Sequence, residues 1–243
     1  LQTRTDDKGI VVREEPNGWC LGEWSTPHNR IEIPASLVNT AYFYHVTCIM
    51  ADVAGILNKK NDEHHLRTLA ETIRKNFNAA FYNEATHHYG EGKQGADVFA
   101  LAFGLVPDGK REKVFAALLG HLEKVNYHFD TGILATPLLL QVLTENGRAD
   151  LAYKLMNQRD FPSYGYLADK KNNTLWETWN GDGNDEGCGH CHPMFGSVVA
   201  WFYHSLAGIK PDQSDPGMKH FYIEPMIVPD LKYCRATYDS QYG

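Results

Sequence analysis

Residues 37–57 read LVNTAYFYHVTCIMADVAGIL, an apolar run whose only acidic residue is Asp52. The run follows Pro34 and Ser36, a pairing that starts helices. It is apolar on most of its faces, as a helix surrounded by protein is. From near Asp62 the pattern changes. Leu66, Leu69, Ala70, Ile73 and Phe77 fall on one helical face, with Arg67, Glu71 and Lys75 on the other. An all-apolar helix followed by an amphipathic one is an inner–outer helical hairpin.

The rule recurs along the chain. Residues 98–103 (VFALAF) form a second inner run, followed by Val114, Phe115, Leu118, Leu119 and Leu122 at helical spacing. Residues 133–143 form a third, closed by Asn146-Gly147, a helix C-cap signal, and followed by Leu151, Ala152 and Leu155. A fourth inner helix is expected over residues 194–206. Stacked αα-hairpins build either a solenoid or a closed toroid. The units share too little sequence for a standard helical repeat, so an all-α partial toroid is the expectation. The tail, FYIEPMIVPDLKYCRATYDSQYG (221–243), alternates as strands do, with breaks at Pro225 and Pro229. It reads as the start of a β-sandwich. The expected division is therefore 1–210 for the helical domain and 211–243 for the opening of a C-terminal β-sheet domain.

Composition narrows the function. A hydrophobic content of 43 % and a charged content of 22 % are ordinary for a globular protein. The net charge of −7 disfavours a phosphate-backbone surface, and no basic cluster with interleaved aromatics points to nucleic acid. No uninterrupted apolar run approaches the roughly 20 residues of a membrane span; residues 37–57 are broken by Asn39, Thr40, His45, Thr47 and Asp52. The opening LQTRTDDKG has neither an initiating Met nor a signal-peptide core, as expected of a processed chain or a piece of a longer one. Five cysteines in a chain of this length are not a disulfide framework.

The loops entering the inner helices lie at one end of such an array: residues 17–30, 86–97, 126–131 and 174–192. They carry every tryptophan except Trp201, and His28, His87, His88, His128, His190 and His192. Functional groups gather on loops held by a rigid scaffold, so a single cleft at this mouth is expected. Local packing remains the plainer reading for any one histidine, such as His87 or His128.

The richest of these loops lies within residues 172–201, NNTLWETWNGDGNDEGCGHCHPMFGSVVAW. Glu177 stands between Trp176 and Trp179, with Asp182, Asp185 and Glu186 close behind. Indoles stack on sugar rings, and a carboxylate among them suits acid–base chemistry. The loop from Trp19 to Trp24 repeats the theme, with Glu23 beside Trp24. Capping of a helix or pairing with a lysine stays open for Glu177. The louder pattern is Cys188-Gly-His-Cys191-His192. It matches a redox dithiol, a haem attachment site or part of a zinc site. Each reading lacks its setting: a βαβ unit, a haem-enclosing domain, or a second ligand pair. The expectation is loop packing, with no metal and no cofactor.

The segments NGWCLGEW (17–24), TAYFYHVTCIMADVAGIL (40–57), TGILATPLLLQVLTENGRADLAYKL (131–155), DFPSYGY (160–166), TLWETWNG (174–181) and HPMFGSVVAWFYHSLAGI (192–209), with the tail, occur in an order that resembles the α-L-rhamnosidases of the six-hairpin glycosidase type. The resemblance covers most of the chain. It implies an (α/α)6 toroid between β-domains and hydrolysis of terminal α-L-rhamnosides with inversion, so a rhamnose-containing carbohydrate is the implied partner. Glu177 matches the family's general base and Trp24 its sugar-platform aromatic. His192 matches a sugar-contacting histidine, and Trp179 is expected to line the pocket. Glu23 stands where the family usually has Asp, which puts its contact with substrate in question.

The family's acid-bearing motif lies upstream and is absent here. Inverting hydrolysis needs both carboxylates. The chain is therefore expected to hold about half the toroid, to be inactive alone, and to self-associate or need its missing half. A periplasmic or secreted parent is compatible with this, and the compartment stays open. The alternatives are a six-hairpin glycosidase of another sugar, a non-catalytic carbohydrate-binding fragment, and, remotely, a thiol or metal protein.

Overall fold

The computed structural model describes residues 2–12, 22–27, 33–170, 174–180, 189–212 and 214–243. The chain divides into two units, residues 1–135 and 136–243.

In the first unit, α1 (Ala35–Ile56) starts directly after Pro34, whose extended backbone leads into the first turn. A short turn reverses the chain into α2 (Lys60–Phe81), which opens on Asp62 and Glu63, charges that suit a helix N-terminus. The two helices pack against each other, with Asp52 and Arg67 joined at 2.7 Å. From α2 the residues buried are Ala70, Ile73 and Phe77, at the spacing of one helical face. Then α3 (Gln94–Ala102) is buried from Gln94 to Leu101, as an inner helix should be, while α4 (Arg111–Lys124) buries only Val114, Leu118 and Leu122.

In one respect α1 departs from expectation. Its N-terminal half is buried on several faces, but Val46, Ile49, Met50, Val53, Ile56 and Leu57 are between 40 % and 79 % exposed. Apolar patterning shows which side chains avoid water. It does not supply the neighbour that covers them.

The boundary between the units falls inside α5 (Ala135–Glu145). The turn after it contains Gly147 at φ +74°, the left-handed position that glycine fills most readily. Next come α6 (Ala149–Asn157) and α7 (Tyr164–Asp169), the latter capped by Ser163, whose Oγ accepts from the Tyr166 N–H at 2.9 Å.

The expected helix over residues 194–206 is broken into α8 (Pro193–Gly196), α9 (Val199–Trp201) and a π-helical turn, Phe202–Leu206. Gly196 and the β-branched Val198-Val199 pair are weak helix formers, so apolar pattern alone does not keep one helix continuous. Buried Trp201 anchors the segment by donating its indole N–H to Thr144 Oγ1 at 2.8 Å.

Two short strands follow. β1 (Ile209–Pro211) pairs antiparallel with β2 (Phe221–Ile223), Lys210 facing Tyr222, so the ladder joins residues on both sides of position 210. Residues 224–243 contain no strand, despite their alternation. Pro225 and Pro229 remove ladder donors. Ile227 and Tyr233, 91 % and 78 % exposed, have no second sheet face to cover them.

Candidate functional site

Glu23 and Trp24 belong to the first unit. They lie between two residues in the left-handed region, Gly22 at φ +61° and Ser25 at φ +56°. Glu23 is fully buried, and its Oε1 accepts the Ala135 N–H at 3.1 Å. The Gly132 and Leu134 N–H groups also bond to this carboxyl. Its Oε2 has no hydrogen-bond partner among the described residues. Burial pushes the Glu23 carboxyl up to about 8, against the downward pull of those backbone N–H groups. Half-exposed Trp24 accepts the Ile133 N–H on its carbonyl at 3.0 Å. A Cβ on Gly132 would lie 1.9 Å from that carbonyl oxygen, so only glycine permits the approach.

The neighbouring loops of this unit are braced from beneath. Asp97, fully buried in the first turn of α3, accepts the Tyr89 N–H at 2.8 Å and meets His88 Nδ1 at 2.6 Å. The hydrogen bond to Asp97 raises His88, and burial raises Asp97. Buried Gln94 donates to the His128 carbonyl and accepts the Asp130 N–H, both at 3.0 Å. His87 bonds the Tyr82 hydroxyl at 2.8 Å, and His128 donates to the Val125 and Asn126 carbonyls. These two histidines serve their own loops.

In the second unit, residues 174–180 and 189–192 are laced together. The Glu177 N–H donates to the Gly189 carbonyl and the Gly189 N–H donates to Glu177 Oε2, both at 2.9 Å. The His192 N–H donates to the Leu175 carbonyl at 2.9 Å. Glu177 is thus fixed by a loop amide and not by a helix N-terminus. A Cβ on Gly189 would sit 3.2 Å from Glu177 Oε2 and 3.5 Å from His192 Cδ2, so both carboxylate and imidazole lie close to the space a side chain would fill there. Nδ1 of His192 accepts the Met194 N–H at 3.4 Å, capping α8. In the neutral ring that leaves the proton on Nε2, as a donor.

The two indoles of this loop have different fates. Trp176 is part-exposed and stacks on His190, with centroids 4.1 Å apart and planes 11° apart. Trp179 is only 1 % exposed, packed between Tyr164 (5.4 Å) and Phe195 (4.6 Å). The expectation for Trp179 was a pocket wall; its indole is instead buried between Tyr164 and Phe195, because residue adjacency does not say which ring turns inward. Similarly, Glu23 was expected at the substrate surface and is found with no exposed surface.

Asp182, Asp185, Glu186 and Cys188 lie outside the described residues. Cys191 is exposed as a free thiol, and among the described residues no group of three or more His, Cys, Asp or Glu is placed to hold a metal. Sequence reasoning passed over Gln94, Asp97, Gly132 and Gly189. Asp97 and the glycines were visible only as members of polar loops, and a buried glutamine leaves no signal at all.

Inner–outer helical pairs with indoles and a backbone-pinned carboxylate on the connecting loops describe a helical-hairpin domain. The family model of the bacterial alpha-L-rhamnosidase 6 hairpin glycosidase domain matches residues 1–206. The chain belongs to this α-L-rhamnosidase family.

It is 36 % identical over 228 residues to an alpha-L-rhamnosidase of Streptomyces avermitilis, covering 91 % of this chain and 22 % of the relative. It is 31 % identical over 234 residues to one from Formosa agariphila, covering 92 % and 25 %. Among solved structures it superposes on the S. avermitilis α-L-rhamnosidase complexed with L-rhamnose with a TM-score of 0.80 at 33 % identity, over 93 % of this chain and 21 % of that one. For the α-L-rhamnosidase from Dictyoglumus thermophilum the TM-score is 0.82 at 34 % identity, over 92 % and 25 %. The chain thus spans about a quarter of the length of the curated relatives it matches.

Proposed function

We propose that this chain carries the general base of an inverting glycoside hydrolase that removes terminal α-L-rhamnose, and that Glu177 is that base. The observation that carries the reading is the reciprocal lacing of Glu177 and Gly189, with the His192 ring close to the same glycine. It is supported by family membership and by the L-rhamnose named with the S. avermitilis structure.

The Gly189 N–H holds Oε2 and orients the carboxylate, leaving Oε1 to take a proton from water. That water attacks the anomeric carbon on the face opposite the leaving oxygen. A second carboxylic acid, from a segment of the protein upstream of this chain, protonates the leaving oxygen, about 6.5–9.5 Å from the base so that the water fits between. Trp24 stacks the apolar face of the sugar, and His192 donates Nε2–H to a ring hydroxyl. Trp179 supports the loop from below. Residues 1–210 form the catalytic portion, and residues 211–243 open the β-domain that follows it.

The test is the first product formed from nitrophenyl α-L-rhamnoside by the full-length protein, followed by proton NMR. The expected product is β-L-rhamnose, with nitrophenyl glucoside left uncut. Initial release of the α-anomer would refute inversion, and preference for the glucoside would refute the sugar assignment.

Gly189→Ala is a finer probe. Its Cβ would press on Glu177 Oε2 and on the His192 ring. Misplacing a reacting group by a fraction of an ångström to one ångström costs up to about 100-fold. Steady-state kinetics should show kcat down by about 10- to 100-fold, with the melting temperature little changed.

A further inference from the structure

We propose that Glu23 is a positioning residue that sets the pose of Trp24, acting on substrate through that indole and without touching the sugar. The proposal rests on the reading of Trp24 as a sugar platform.

The geometry is a two-point clamp made by consecutive residues. The Glu23 carboxyl takes the Ala135 N–H through Oε1 at 3.1 Å, with the Gly132 and Leu134 N–H groups on the same carboxyl. The Trp24 carbonyl takes the Ile133 N–H at 3.0 Å. Side chain and main chain therefore grip one segment, residues 132–135, which leads into α5. The segment comes within reach because Gly132 has no Cβ: one would stand 1.9 Å from the Trp24 oxygen and 3.0 Å from Glu23 Oε1.

Gly95, in the first turn of α3, makes a second close approach. A Cβ there would meet Ile33 Cδ1 at 2.8 Å and Ala135 Cβ at 3.2 Å, with Glu23 Cγ at 3.8 Å. Glu23 thus fills the wedge where the entries of α3 and α5 converge. On either side of the Glu23–Trp24 pair the backbone is left-handed, at Gly22 and Ser25. The register of this pair is held by the clamp on residues 132–135. Full burial leaves Glu23 no surface for a ligand, whereas Trp24 is half-exposed directly beside it.

The experiment uses the full-length protein in three single variants and one double. Glu23→Gln keeps an acceptor oxygen for the segment 132–135. Glu23→Met fills the same volume without one, and guards against the cavity that Glu23→Ala would leave. Trp24→Ala removes the platform. KM and kcat for nitrophenyl α-L-rhamnoside, the Kd for free rhamnose, and hydrogen exchange across residues 132–135 are read for each.

Glu23→Met is expected to raise KM and the rhamnose Kd by about three- to tenfold with kcat within twofold, and to speed exchange at 132–135. Glu23→Gln should stay within about twofold of wild type throughout. The double variant Glu23→Met/Trp24→Ala should bind rhamnose no more weakly than Trp24→Ala alone, because both changes remove one function.

Additive losses in the double variant, or a fall in kcat at constant KM in Glu23→Met, would overturn the positioning role. So would unchanged binding in Glu23→Met beside weakened binding in Trp24→Ala. If Trp24→Ala itself binds rhamnose normally, the platform reading fails, and the exchange data alone judge the clamp.

Discussion

Glu177→Gln in the full-length protein is expected to lower kcat by about 10²- to 10⁴-fold, the contribution of a positioned general base, or roughly 3–5 kcal/mol of barrier. The substitution is nearly isosteric. Its side-chain oxygen can still accept the Gly189 N–H, which donates to Oε2 at 2.9 Å in the native loop. Pairing of the Glu177 N–H with the Gly189 carbonyl is main-chain and survives unchanged. Rhamnose should therefore bind within about threefold of the wild-type affinity while turnover collapses, the mark of an interaction used only in the transition state. Single-turnover kinetics with nitrophenyl rhamnoside, beside calorimetric rhamnose binding, separate the two quantities. Near-normal turnover would remove Glu177 from the mechanism. Loss of binding to the same degree as turnover would make it a structural residue of the loop.

The second large effect concerns Glu23 and pH. Burial lifts its carboxyl from the ordinary 4.5 to about 8 in the folded chain. Below 4.5 both folded and unfolded forms hold the proton, and the full contribution to stability is present. Between 4.5 and about 8 the folded form keeps a proton that the unfolded form has released. Stability from this group then falls as pH rises, by at most about 1.4 kcal/mol per pH unit, and the loss is complete above the folded value.

Glu23→Gln has no proton to lose. Melting curves of the wild type and this variant at pH 5, 7 and 9 should show the wild type losing ground to Glu23→Gln as pH rises. A constant difference between them across that range would show that Glu23 is ionised in the fold at all three values.

Much of the architecture was readable because its cause is periodic. The apolar run at 37–57 and the one-sided pattern at 66–77 read as an inner helix and its amphipathic partner, and they become α1 and α2, although α1 keeps one apolar face exposed among the described residues. The same logic gives α3 with α4. It fails for residues 194–206, where Gly196 and the Val198-Val199 pair break an apolar stretch that periodicity alone would make continuous. It fails again in the tail, where alternation promises strands but only Phe221–Ile223 finds a partner. A strand is completed by its neighbour, whereas a helix completes its hydrogen bonds within itself.

Within the candidate site, chemistry was legible and placement was not. Two indoles around a carboxylate are visible as letters. That Trp179 is buried follows from its packing against Tyr164 and Phe195, whereas Trp176 stacks on His190. The pattern at 188–192 invited metal or redox readings. In the fold its described members have plain tasks: His192 caps α8 and His190 stacks on Trp176.

The sequence by itself determined the hairpin class and the family, because each rests on local pattern or on the order of segments along the chain. Only the tertiary structure decided that Glu23 is buried and grips residues 132–135, that Gly189 bonds Glu177 and lies close to His192, and that one face of α1 is left bare among the described residues. Those facts depend on atoms more than a hundred residues apart in one case and twelve in another. Burial, pairing and proton affinity are properties of a surrounding, and a surrounding exists only once the chain has folded.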